Sequence, residues 1–140
     1  MSEVQNTTVV QHAYAAFGRG DIPSLLETLT DDVSWRSVIG AASYVPFAGE
    51  RRGRAAVAEF FRIVSEVEEF SQFEPREFVA QGDTVVAIGH YAATTKATGR
   101  RFESDFVMVF TLTDGRVAAF REYTDTASIN AAFAPLGAAV

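Results

Sequence analysis

Apolar residues recur at four-residue spacing early in the chain, at Val9, Ala13 and Phe17, with Val10 and Tyr14 beside them. That period belongs to a helix with one buried stripe. It predicts a first helix from about Glu3 to Phe17, ended by Gly18 and Gly20. Asp21 can then cap a second, short helix whose first turn suits Pro23 and whose buried face is Leu25, Leu26 and Leu29. Val33 to Val38 reads as a short strand carrying Trp35. Residues 39–52, with Gly40, Pro46 and Gly49, read as a loop. Beyond Gly53 the helical period returns at i, i+3, i+4 and i+7: Val57, Phe60, Phe61 and Val64 predict a third helix.

The period then changes to two. Phe73 to Ala80 reads as a strand, with Pro75 marking an edge or a strand start. After the Gly82-Asp83 turn, Thr84–Thr95, Arg101–Leu112 and Arg116–Thr124 are long strands rich in β-branched and aromatic residues. Gly99 and Asp114-Gly115 mark the hairpin turns between them. Asp125 or Thr126 can cap a last helical piece through Phe133, stopped by Pro135 and Gly137. Helices followed by a meander imply an α+β fold, a curved antiparallel sheet wrapped around the helices and an internal apolar pocket, with residues 1–140 as a single domain.

Both faces of the last hairpin are apolar. Phe106, Met108, Phe110 and Leu112 lie on one, and Val107, Val109 and Thr111 on the other. A sheet with one wet face alternates more sharply, so both faces are expected to be covered, one by the helices and the other by a second subunit in a homodimer. The turn decides the partners across this hairpin. A two-residue Asp114-Gly115 loop pairs Met108 with Arg121. A three-residue Thr113-Asp114-Gly115 loop pairs Phe106 with Glu122 and Met108 with Phe120. The second is preferred, because Phe120 then joins the phenylalanine wall and Glu122 is the one acid on it.

Composition sharpens this picture. The chain has 12 Phe, 4 Tyr and 1 Trp, the makings of a heavy core or a lined apolar cavity. A net charge of −6 works against binding nucleic-acid phosphates, and Arg51, Arg52 and Arg54 form only a short cluster, read as solvated residues before a helix. With 0 Cys there is neither disulfide nor thiolate chemistry. No apolar run is long enough to span a membrane, and the polar N-terminal residues lack the features of a signal peptide, so a cytoplasmic location is expected. Two histidines and scattered acids form no recognisable metal set. No phosphate loop, nucleophile elbow or dinucleotide fingerprint is present, so neither metal nor cofactor is expected.

Tyr14, Phe17, Gly20-Asp21, Asp31-Asp32, Trp35, Gly53 and Phe60-Phe61 together resemble the nuclear transport factor 2-like superfamily. The segments Thr98-Gly99-Arg100, Asp105-Phe106-Val107, Asp114-Gly115-Arg116-Val117 and Phe120 to Thr126 resemble its SnoaL-like branch of polyketide-cyclase relatives. The resemblance implies a cone-shaped pocket between helices and concave sheet, and frequently a homodimer. Ketosteroid isomerase shares the fold, but its three working groups would fall at Ala13, Ser37 and Met108, so its route is not carried over. In SnoaL-type cyclases the catalytic Asp lies seven residues after the hairpin glycine. Glu122 holds that place here.

Glu122 is therefore the first candidate. A carboxyl on a phenylalanine-lined wall is poorly hydrated when ionised, which raises its pKa toward the range useful for acid–base work. His90 is the second. A three-residue turn at Gly99 would set it beside Phe106 and near Glu122, where an imidazole could shuttle a proton. Asp105 alternates to the opposite face, and His12 lies off the apolar stripe of its helix. Trp35, Tyr44, Phe47, Phe61, Phe106, Met108 and Phe120 are expected to line the pocket, with ordinary core packing as their other reading. Two functions compete: cofactor-free acid–base chemistry on a small hydrophobic metabolite (isomerase, cyclase or hydrolase), and a non-catalytic ligand-binding or dimerisation module.

Overall fold

The computed structural model describes residues 2–136, so the expected stop at Gly137 lies outside the described residues. Helix α1 (Glu3–Gly18) starts at a capping box, in which the Ser2 hydroxyl accepts from the Gln5 N–H and the Gln5 side chain accepts from the Ser2 N–H. Helix α2 (Ile22–Glu27) is capped by Asp21 with Pro23 in its first turn, as its sequence predicts. Strand β1 (Leu29–Ser37) follows directly and carries Trp35. Helix α3 (Arg54–Val67) buries the four residues of its predicted stripe, Val57, Phe60, Phe61 and Val64.

The sheet is built from β1, β2 (Gly49–Arg52), β3 (Glu68–Gln81), β4 (Thr84–Thr95), β5 (Arg101–Thr113) and β6 (Arg116–Thr124), in the order β2-β1-β6-β5-β4-β3. It is curved and unclosed. Helix α4 (Thr126–Phe133), capped by Asp125, follows β6. The sheet is mixed, because β1 runs parallel to β6 while every other pair is antiparallel. The expected loop over 39–52 ends in strand β2, which pairs with β1. Its residues Gly-Glu-Arg-Arg carry no apolar alternation, since this edge strand is held by its backbone. The arginines here are not all simply solvated: Arg54 donates to the Leu29 carbonyl (Nε–O 3.1 Å) and pairs with Asp31 at 2.8 Å, and the Arg51 guanidinium lies 5.7 Å from the Phe60 ring centre.

At the other edge, β3 starts five residues earlier than the period suggests, at Glu68, directly after α3. Pro75 does lie on this edge strand, at an irregularity between Pro75 and Glu77. On β4, Gly89 makes room for a ring. A Cβ there would come within 2.5 Å of Phe106 Cζ and 2.2 Å of the Glu74 carbonyl oxygen, so only glycine lets Phe106 lie across the strand.

The β5–β6 hairpin takes neither of the two expected registers. Its turn is the two-residue one, with Asp114 (φ 49°) and Gly115 (φ 78°) both left-handed. Thr113 faces Arg116 and Leu112 faces Val117, but Thr111 faces Ala119, so Ala118 is an extra, bulged residue. Beyond the bulge, Phe110 faces Phe120 and Met108 faces Glu122. Phe120 and Glu122 thus share a face with Phe106, Met108 and Phe110, as expected, but the bulge achieves it rather than a longer loop. Among the described residues no helix is long and apolar enough to cross a membrane.

Candidate active site

The inner faces of β1, β3, β4, β5 and β6, the helices and the 38–48 segment line a cavity of about 80 Å³. Its wall is almost wholly aromatic and aliphatic. Glu122, Glu68, Tyr91, Tyr14 and Trp35 bring the polar atoms.

Glu122 projects inward from β6 and is 5 % exposed. The Tyr91 hydroxyl donates to its Oε2 at 2.8 Å, and the Val38 N–H to its Oε1 at 3.3 Å. The Ile39 N–H bonds the Glu122 carbonyl at 3.3 Å, so the residue is gripped at both backbone and side chain. Val38 reaches it in a left-handed conformation (φ 45°). This is costly for a β-branched residue, and such strain tends to gather at functional sites. Burial raises the Glu122 pKa, against the lowering effect of the Tyr91 and Val38 hydrogen bonds. Among the described residues no cation pairs with it.

A second carboxyl stands in the same wall. Glu68, the first residue of β3, is 4 % exposed, and its Oε2 is buried with no hydrogen-bond partner. Burial, aided by the charge of Glu122, pushes its pKa up to about 8. The phenols are also shifted upward, Tyr91 and Tyr14 alike, first by burial and then by the Glu122 charge. Tyr14 donates to the Met108 sulfur at 2.9 Å. Trp35 is clamped by rings: it stacks on Phe120 (centroids 3.9 Å, 18°) and meets Phe61 edge-on at 5.6 Å. Its Nε1 is buried without a partner.

Of the residues expected at the pocket, Trp35, Phe47, Phe61, Met108, Phe120 and Glu122 line it. Three do not. Phe106 faces inward but is covered by Tyr91 and Phe73, at 5.1 and 5.5 Å between ring centres. Tyr44 is 42 % exposed and donates to the Asn130 carbonyl at 3.2 Å, outside the cavity. His90 points to the outer face, because Gly89, not His90, stands opposite Phe106. Its ring nitrogens lie 2.8 Å from Asp105 and 2.7 Å from Glu103. Asp105 is on the outer face as expected, and His12 is exposed.

Tyr91 and Glu68 complete the site without having been singled out from the sequence, joined by Tyr14 and Val38, which the sequence marks only as a helix residue of the family pattern and a strand end. Tyr91 carries a readable signal, since it alternates with Val85, Ala87 and Gly89. Val86 and Ile88 make the opposite phase equally apolar, so the histidine drew the inference instead. Glu68 sits at a helix–strand junction where neither period holds. Among the described residues no three His, Cys, Asp or Glu side chains are placed to hold a metal ion.

The profile of the SnoaL-like domain matches residues 10–120. An NTF2-like protein from Burkholderia xenovorans is 38 % identical, with TM-score 0.85 over 95 % of this chain and 98 % of that one. A second, from Burkholderia pseudomallei, is 30 % identical, with TM-score 0.82 over 96 % of this chain and 100 % of that one. TerC, co-crystallised with polyporic acid, is 27 % identical, with TM-score 0.76 over 94 % of this chain and 99 % of that one. No curated protein matches the chain.

Proposed function

The chain belongs to the SnoaL-like domain family, and from that premise we propose that it is a cofactor-free acid–base enzyme acting on a small hydrophobic molecule, with Glu122 as the group that moves the proton. The observation that carries this reading is the setting of Glu122. It is a carboxyl buried in the wall of an aromatic cavity, oriented by one phenol and one backbone N–H, with no described cation to hold it ionised. Burial brings its pKa toward the range where a carboxyl both takes and returns a proton. Tyr91 fixes the side chain and supplies a neutral donor that stabilises the ionised form. The reaction classes this suits are isomerisation, cyclisation and water addition.

The test is deuterium exchange at the carbon beside the carbonyl of a small aryl ketone such as acetophenone, followed by NMR. The wild-type chain is expected to accelerate exchange, and Glu122→Gln to lower the rate by about 100-fold or more while keeping the melting temperature. Equal rates in the two proteins would overturn the reading. One observation favours the second reading, a non-catalytic module that binds at most a very small ligand or serves dimerisation. A cavity of about 80 Å³ is well below the roughly 300–1,000 Å³ that holds drug-sized ligands. Ligand bound with no exchange above the solvent rate would select it.

We further propose a homodimer through the outer sheet face, where Val107, Val109 and the 44 %-exposed Tyr123 lie. A molar mass near 15.2 kDa by light scattering would count against it.

A further inference from the structure

Two residues that line the cavity carry buried polar atoms without partners, Nε1 of Trp35 and Oε2 of Glu68. A buried group of this kind costs free energy in the empty protein that a ligand can return on binding. Trp35 cannot turn to find a partner, because Phe120 stacks on its face and Phe60 and Phe61 pack at 5.8 and 5.6 Å. An indole N–H only donates. Glu68 in its protonated form donates as well, and burial keeps it protonated up to about pH 8. Donors on two residues of the lining call for acceptors on the ligand, and carbonyl or hydroxyl oxygens supply them.

The charge of the wall narrows the ligand further. Its described lining residues include two carboxyls and no Lys, Arg or His. An anionic ligand would be buried beside Glu122 with nothing to offset either charge. A cationic amine would satisfy the carboxyls but offers nothing to the Trp35 N–H.

We propose that Trp35 and Glu68 are specificity-determining residues that donate to the acceptor oxygens of an uncharged ligand, and that the cavity rejects anions of the same shape. This rests on the reading of the cavity as a substrate site and adds to it the polarity and charge of what enters. It also gives Trp35 a role distinct from its part in the aromatic core.

The experiment is a calorimetric or NMR titration of the whole chain at pH 7 with four compounds built on one phenyl ring: acetophenone, ethylbenzene, benzoate and benzylamine. Acetophenone is expected to bind about tenfold or more tightly than ethylbenzene, and benzoate not to bind. Trp35→Phe keeps a ring and loses the N–H, and Glu68→Leu loses the acid. Each is expected to bring the ketone preference toward one by lowering acetophenone affinity more than ethylbenzene affinity. Glu68→Leu is expected to leave the melting temperature unchanged or higher, whereas Trp35→Phe lowers it, because the smaller ring gives up packing on Phe120. Wild-type selectivity decides the matter even if a variant fails to fold. Equal affinity for acetophenone and ethylbenzene, tighter binding of benzoate or benzylamine, no binding of any of the four, or folded variants that keep the full ketone preference would each overturn the proposal. Ketone preference without deuterium exchange would overturn the acid–base reading and leave this one standing. Exchange without ketone preference would do the reverse.

Discussion

On the inner face of the sheet, Glu122 meets a phenol and a backbone N–H and Glu68 stands with an unpartnered oxygen, while on the outer face His90 lies between two carboxylates, Asp105 and Glu103. Both faces hold protons more firmly than the free side chains do, for opposite reasons. Inside, the lack of water disfavours the ionised carboxyls. Outside, hydrogen bonds to Asp105 and then Glu103 favour the ionised imidazole and raise the His90 pKa. A carboxylate only accepts, so an imidazole bonded to two of them needs a proton on each nitrogen. The same strands thus show that direction of shift alone does not identify a catalytic group. The inner carboxyls face a cavity, whereas the outer histidine has both nitrogens occupied by its neighbours.

The largest expected effect tests whether the inner face is a packed core at all. Phe60→Ala is expected to cost about 3–5 kcal/mol in chemical denaturation, because its ring is 7 % exposed and packs on Trp35 and Phe61. A near-neutral result would mean that the rings enclose a loose cavity. Next comes Gly89→Ala, expected to cost about 1–3 kcal/mol by overpacking, since the added methyl meets Phe106 and the Glu74 carbonyl. An equal loss from Ala119→Gly on the outer side would erase the contrast.

The third effect is a pH slope. Glu68 has a folded-state pKa raised from 4.5 to about 8, so the folded protein binds more protons across that window. Its contribution to stability is full below about pH 4.5 and declines as pH rises to 8. Urea melts of Glu68→Gln are expected to lack that decline. The smallest effect belongs to His90. Its raised pKa gives a contribution that is full below 6.5 and is lost as pH rises through the folded value. The two slopes have the same sign, and salt separates them. At 1 M NaCl, screening is expected to erase the difference between wild type and His90→Gln, while the Glu68 slope persists. A His90 effect insensitive to salt would break the comparison.

Much of the fold was legible in the chain. The stripe Val57, Phe60, Phe61, Val64 defines α3, and the runs that form β4, β5 and β6 announce themselves by β-branched and aromatic residues between turns. Strand β2 was not, because a four-residue edge strand of glycine and charged residues has no period to read. The parallel pairing of β1 with β6 is a tertiary choice that no local pattern encodes. Within the site, Glu122 was reached from its alternation with Phe120 and from the hairpin glycine. His90 was misplaced because both phases of β4 are apolar, so a shift of one residue could not be resolved by hydrophobicity. Glu68 was missed because a lone acid after a helix normally reads as a solvated end, and only the fold shows that it is enclosed.

Ala118 carries a consequence for how such hairpins tolerate insertions and deletions. As a spare residue outside the ladder, it uncouples the length of the β6 arm from the address of each side chain beyond it. A chain lacking Ala118 is expected to keep Val117, Phe120 and Glu122 inside, with a straighter strand. A residue inserted between Arg121 and Glu122 is expected to turn the strand over from that point, sending the carboxyl to solvent and presenting whatever was inserted to the cavity. One position can thus be lost without touching the chemistry, whereas a gain three residues later rewrites it.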